Sequence, residues 1–281
     1  MSFFFAGALN HPRRPVTLFL LALFACLAAC DNPKSPGNLR SKARDAAKGR
    51  ATLHPQPTTR AGAPRLAIIL DDFGTDRSAA DSVFALPYPL TLSFLPFHPD
   101  SREIAEEAHR RGYQIMLHLP MQSLGNETPE SQQLHSGMSS SQTSEIVDAM
   151  LQNIPYVVGV NNHQGSLATT DGPLMADLMA ILRERNLFFI DSRTTAATVA
   201  YDAAQGARVR CAFRNVPFLD DVEEVSAIRK QLQLALRDAQ ERGEAIAIGH
   251  PHPETLRALS EFLPQAEAQG VHLVHASQLV H

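Results

Sequence analysis

The 281-residue sequence has no tryptophan, only three cysteines and no apolar run of the ~20 residues a membrane-spanning helix needs, which excludes a polytopic membrane protein. Cys26 and Cys30 fall in the first 30 residues and leave Cys211 alone in the remainder. No disulfide framework can staple residues 66–281, so that region must rest on a buried core. Basic residues are scarce there: 15 Lys and Arg stand against 27 Asp and Glu, a balance of −12, whereas residues 1–65 carry 10 against 2. An acidic domain of this size repels a phosphate backbone, which argues against nucleic acid as a partner. There is no internal repeat, and Asp71-Asp72-Phe73-Gly74 lacks the G-x-G-x-x-G spacing of a dinucleotide-binding loop.

What is present begins with an address. Arg13 and Arg14 precede the ten-residue apolar run Val16–Ala25, the layout of a secretory signal peptide. That segment ends in Leu27-Ala28-Ala29-Cys30, small residues before a cysteine, and is similar to a bacterial lipobox. Cys30 is therefore the expected lipidation site of a periplasm-facing, membrane-anchored protein. Ordinary cleavage to a soluble periplasmic or secreted product is the alternative. Residues 31–65, rich in Pro, Lys and Arg and without an apolar period, read as a disordered linker. Residues 66–281 read as one folded domain.

Within that domain short apolar runs alternate with amphipathic stretches, the pattern of β/α units on a parallel sheet. Strands are expected at 66–70, 90–95, 114–117, 156–160, 187–190, 209–213, 245–248 and 271–274, and helices at 76–86, 101–111, 141–153, 172–185, 222–242 and 253–268. Residues 122–140, long and poor in apolar side chains, read as a surface insertion near the site. Unusual polar residues cluster where the strands end: Asp71 and Asp72, His118, Asn161, Asn162 and His163, Asp191, Ser192 and Arg193, then His250 and His252. A closed barrel gathers all its C-terminal strand ends at one mouth, so the expected fold is a deformed (β/α) barrel of seven or eight mostly parallel strands. An open doubly wound sheet is the alternative.

One Asp of the Asp71-Asp72 pair with two of the imidazoles His118, His163 and His250 makes a competent site for Zn²⁺ or a related divalent ion, with positions left for water and substrate. Such an ion makes amide hydrolysis feasible at neutral pH. A second carboxylate can take a proton from water, and a histidine opposite can return one to the leaving amine. Arg193 can pair with Asp71 or Asp191 to hold a carboxylate in orientation, or Asp191-Ser192-Arg193-Thr194 can simply begin a helix. Phosphate-transfer chemistry would ask for cationic clamps at the mouth, and Arg193 alone offers one.

Five motifs, Leu70-Asp71-Asp72-Phe73-Gly74, His118-Leu119-Pro120-Met121, Asn161-Asn162-His163-Gln164-Gly165-Ser166, Asp191-Ser192-Arg193-Thr194 and Gly249-His250-Pro251, together resemble the divergent polysaccharide deacetylase family over residues 64–281. The resemblance implies a deformed (β/α) barrel with Asp71 as catalytic base, Asp72 and His118 as metal ligands and His250 as general acid. The wider superfamily spaces its histidine pair H-x-x-x-H, but position 122 here is Gln, and His163 is expected to supply the second imidazole. The expected activity is metal-dependent removal of N-acetyl groups from an envelope polysaccharide or from the glycan of peptidoglycan. A non-catalytic envelope protein that keeps the mouth for binding glycan or protein is the alternative. His98, between two prolines, lines the mouth or stiffens its loop, and His252, His272, His275 and His281 read as surface or structural residues.

Overall fold

A computed structural model describes residues 62–125 and 127–281. The expected signal peptide, Cys30 and nearly all of the expected linker lie outside the described residues. Strands β1 (Arg65–Phe73), β2 (Thr91–Phe94), β3 (Gln114–Met121), β4 (Val157–Gln164), β5 (Phe188–Asp191), β6 (Cys211–Phe213), β7 (Glu244–Gly249) and β8 (His272–Leu273) alternate with seven helices. These are α1 (Arg77–Val83), α2 (Ser101–Arg110), α3 (Ser140–Asn153), α4 (Gly172–Glu184), α5 (Ala200–Gly206), α6 (Val225–Arg242) and α7 (Pro253–Ala268). All strand pairs are parallel, in the order β6-β5-β4-β3-β2-β1-β7, with β8 added beside the start of β1. The result is a nearly closed barrel of seven parallel strands, which sets aside the open doubly wound sheet.

The period-two alternation of a strand explains both layers of the core. Leu66, Ile68 and Leu70 of β1, with Ile115, Leu117 and Leu119 of β3, face outward under the helices. Ala67 and Ile69, Met116, Phe188 and Ile190, and Ile246 and Ile248 point inward and fill the interior. One further inward step toward the mouth turns each of these strands polar: Asp71 follows Ile69, His118 follows Met116, Ser192 follows Ile190 and His250 follows Ile248. The site is thus the top layer of the barrel's own stacking.

Two devices close the barrel. At the seam between β6 and β7, Asn215 acts as a strand residue with both backbone and side chain: its N–H donates to Ile246 O (3.0 Å), and its Oδ1 accepts from Ile246 N (2.7 Å). At the floor, Ala276, Leu279 and Val280 enter the interior cluster, and His281 exchanges backbone hydrogen bonds with Cys211.

Three strands run further than their apolar stretches. Pairing of β3 with β4 continues through His118↔Asn161 to Met121↔Gln164, because inward polar side chains leave the backbone ladder intact. Helix α5 was not expected, since seven residues are too few to show a helical period. The 122–140 stretch docks through Leu134, which is fully buried and accepts at its carbonyl from Gln122 N (2.8 Å).

Gly159 faces inward on β4, where a Cβ would stand 2.3 Å from the Phe188 ring. Gly159→Ala should therefore destabilise the domain by about 1–3 kcal/mol through overpacking. Adding Phe188→Leu should recover part of the loss in thermal unfolding; no recovery would show that the clash is not the cause.

Candidate functional site

At the end of β1 the pairing register with β2 slips between Leu70 and Phe73, and Asp72 adopts a left-handed backbone (φ 60°). Adjacent strand residues ordinarily point to opposite faces. The bulge cancels that alternation, so Asp71 and Asp72 both reach the mouth. His118 Nε2 lies 3.2 Å from Asp72 Oδ1 and 3.6 Å from Asp71 Oδ2. His163 Nδ1 lies 3.1 Å from the same Asp72 Oδ1. His250 Nε2 faces the other Asp72 oxygen at 3.7 Å.

Asn161 sits at the centre of the buried network. Its Oδ1 accepts from His118 Nδ1 (3.1 Å) and from Ser93, while its Nδ2 donates to both Asp71 oxygens (3.0 and 3.1 Å) and to Ser192 Oγ (3.2 Å). Because Asn161 Oδ1 can only accept, it fixes the proton of neutral His118 on Nδ1 and leaves Nε2 as a lone pair turned toward Asp72. The carboxylate and two imidazoles offer three donor atoms within 4.8 Å of one another. Asp72 Oδ1 is buried and receives a well-aligned hydrogen bond from neither nitrogen. An orphaned carboxylate oxygen between two imidazole nitrogens is a donor set that fits a divalent cation.

Their surroundings shift the flanking groups in different directions. Burial pushes Asp71 above the ordinary carboxylate range, partly offset by His118 and His250. Burial opposes ionisation of Asp72 as well, but the two imidazoles outweigh it and hold that carboxyl below its usual value. Burial opposes the His250 imidazolium, yet the hydrogen bond to Asp220 and the charges of Asp71, Asp72 and Asp220 push it up to about 9. Asp220 is the partner that sequence reasoning missed. It accepts from His250 Nδ1 (2.9 Å), His250 N (2.6 Å) and Thr255 Oγ1 (2.8 Å), and a Cβ at Gly249 would stand 3.1 Å from it. The signal was present in Leu219-Asp220-Asp221, an apolar residue before an acid pair, as at Leu70-Asp71-Asp72.

The structure thus brings together Asp71, Asp72, His118, His163 and His250, but not Asp191 and Arg193. Asp191 accepts from Arg193 N (2.8 Å), Thr198 Oγ1 (2.9 Å) and Tyr201 N (3.3 Å), bonds that hold the loop after β5. Arg193 makes no ion pair with Asp71 or Asp191; its guanidinium lies 3.4 Å over the Phe213 ring. Gln122, at the position where the superfamily pattern has histidine, accepts from Ser136 N (3.1 Å) and holds the insertion. His98 pairs with Glu130 of that insertion at 3.0 Å.

In the metal-free protein, NMR titration should find His250 losing its proton near pH 9, because a raised folded-state pKa keeps the imidazolium below that value and releases it above. Asp220→Asn should move the midpoint down toward ~6.5. An unchanged midpoint would show that Asp220 does not hold the proton.

Against known proteins, residues 68–280 match the model of the divergent polysaccharide deacetylase family. The chain is 39% identical over 218 residues to the uncharacterized protein YibQ of Escherichia coli K12, covering 78% of this chain and 68% of that one. It is 38% identical over 199 residues to an uncharacterized protein of Haemophilus influenzae, covering 71% of each. In structure it is similar to an uncharacterized protein of Agrobacterium tumefaciens C58, with a TM-score of 0.75 at 23% identity over 80% of this chain and 92% of that one. With a family match that runs from the middle of β1 to the penultimate residue, and with these relatives alongside it, the chain belongs to the divergent polysaccharide deacetylase family.

Proposed function

We propose that this protein is a metal-dependent hydrolase that removes N-acetyl groups from an amino-sugar polymer of the bacterial envelope. The observation that carries the reading is the convergence of Asp72, His118 and His163 on one point, with a buried, undonated carboxylate oxygen at its centre. Asp72 Oδ1, His118 Nε2 and His163 Nδ1 would hold the ion, with Zn²⁺ the best match to two nitrogens and one carboxylate. The ion supplies Lewis acidity toward an amide carbonyl and water at neutral pH.

The chain's own residues then divide the proton traffic. Asp71, held in place by Asn161, is a carboxylate whose buried setting makes it a better base than an exposed one, and it takes the proton of the attacking water. His250 stands across the mouth with its Nδ1 proton committed to Asp220, so its Nε2 proton is the one delivered to the leaving nitrogen. Asp220 keeps that ring oriented and favours its charged form, the role a buried carboxylate plays behind a catalytic histidine. The proposed location is the periplasmic side with Cys30 as lipid anchor, a reading supported by the signal-peptide-like leader and its lipobox-like end in the sequence.

The full chain should bind one Zn²⁺, and Asp72→Ala, His118→Ala or His163→Ala should each weaken binding, measured by calorimetry. Full retention of affinity by all three variants would remove the site. Asn161→Ala should cost about 10–100-fold in metal affinity, since it frees the His118 ring. Acetate release from N-acetylated amino-sugar oligomers should fall about 10²–10⁴-fold in His250→Ala. A metal-loaded protein that binds such oligomers and releases no acetate would leave the non-catalytic reading in its place.

A further inference from the structure

Beside the mouth, the loops after β5 and β6 carry two cationic side chains that the proton-transfer scheme does not use. Arg214 spends its donors on main-chain carbonyls: Nε to Ser192 O (2.8 Å), Nη2 to Arg193 O (3.0 Å) and Nη1 to Val216 O. Those bonds clamp the turn in which Arg193 is held left-handed (φ 50°), a conformation that costs a non-glycine residue free energy and persists only where its surroundings enforce it. The clamp holds the Arg193 guanidinium over the Phe213 ring, 3.4 Å from its centroid, and it forms no ion pair among the described residues. Arg214 lies in the same way over Phe218, 4.0 Å from the ring centroid.

A cavity of about 280 Å³ opens between them, lined by Arg193, Arg214, Asn215, Val216, Pro217 and Asp221. Asn215 Oδ1 accepts from Ile246 N, which leaves its NH₂ as the end free to donate. Asp221 is the one carboxylate in the lining, and it forms no ion pair with either guanidinium. In a domain whose balance is −12, two neighbouring guanidiniums that form no close ion pair run against the prevailing charge, with Asp221 the lining carboxylate whose charge reaches Arg214. The cavity walls are also the loops that hold the centre: Ser192 accepts from Asn161, Asp220 holds His250, and Phe218 lies 5.8 Å from the His250 ring.

We propose that this cavity is a subsite for a carboxylate on the glycan, so that the substrate is a polymer in which the N-acetylated sugar adjoins a carboxylate-bearing one. The proposal rests on the deacetylase reading above and narrows its substrate. A planar guanidinium on an aromatic face is preorganised and poorly hydrated, and its parallel N–H donors match a carboxylate edge. Substrate held there would be oriented by a group that takes no part in the bond broken.

The test uses the full, Zn²⁺-loaded chain and a hexasaccharide alternating N-acetylhexosamine with hexuronic acid, compared with its neutral methyl ester. Wild type should bind the acid about tenfold more tightly than the ester, with the preference shrinking as salt rises. Arg193→Gln should bind both forms alike, while Arg193→Lys keeps part of the preference. Equal binding of acid and ester by wild type would overturn the subsite, as would tighter binding of a phosphate-bearing oligomer than of the carboxylate one. Binding preference is read without hydrolysis, so a retained preference with no acetate release supports the subsite while counting against the deacetylase reading.

Discussion

Asp72 occupies a left-handed backbone position, and most of the site depends on that one departure from strand geometry. Without it, Asp71 alone would face the mouth and Asp72 would turn under the helices among Leu70 and Leu117. The bulge puts two carboxylates into one opening, one buried and hydrogen-bonded by Asn161, the other facing two imidazoles. Their opposite pKa shifts follow from those surroundings, since both side chains are chemically the same. A like-charged pair is unfavourable unless it is compensated, and the His250 imidazolium and the Asn161 amide that donates to Asp71 supply that.

The rest of the barrel makes such a polar layer tolerable. Beneath it lies the apolar cluster that runs from Ile69 and Ile248 down to Leu279, with Thr91 and Gln114 accepting from the backbone of Ala276 and Ser277 at the floor. Within the site, each buried side-chain polar atom other than Asp72 Oδ1 has a hydrogen-bond partner, which is the condition for burying polar groups without a large penalty. The one unsatisfied oxygen lies where the donor atoms converge.

Fold class and the site strands were legible because a barrel writes itself as apolar runs ending in polar residues, and β1, β3, β4, β5 and β7 each do so. Asp71, Asp72, His118, His163 and His250 were visible as exceptions at the ends of such runs. Asp220 and Arg214 were not, because they lie on an irregular loop after a three-residue strand, where no period marks which side chains turn inward. Arg193 was visible as a residue type, but its direction was not: the cation-on-ring contact with Phe213 depends on a left-handed turn that a sequence does not announce. Helix α5 escaped for the same lack of period.

The manner of closure sets an order of events. Strand β1 gains one neighbour, β2, from the next stretch of chain, but its other edge waits for β7, and Arg65 meets Glu244 and His272 only after most of the domain has been made. Cys211 likewise waits for His281. A chain delivered from its N-terminus therefore carries an open edge strand and an unplugged interior until its final segment arrives, and its folding rate is set by these long-range closures. For the same reason no competent mouth exists on a partly delivered chain, because His250 takes its place only when β7 docks on β1.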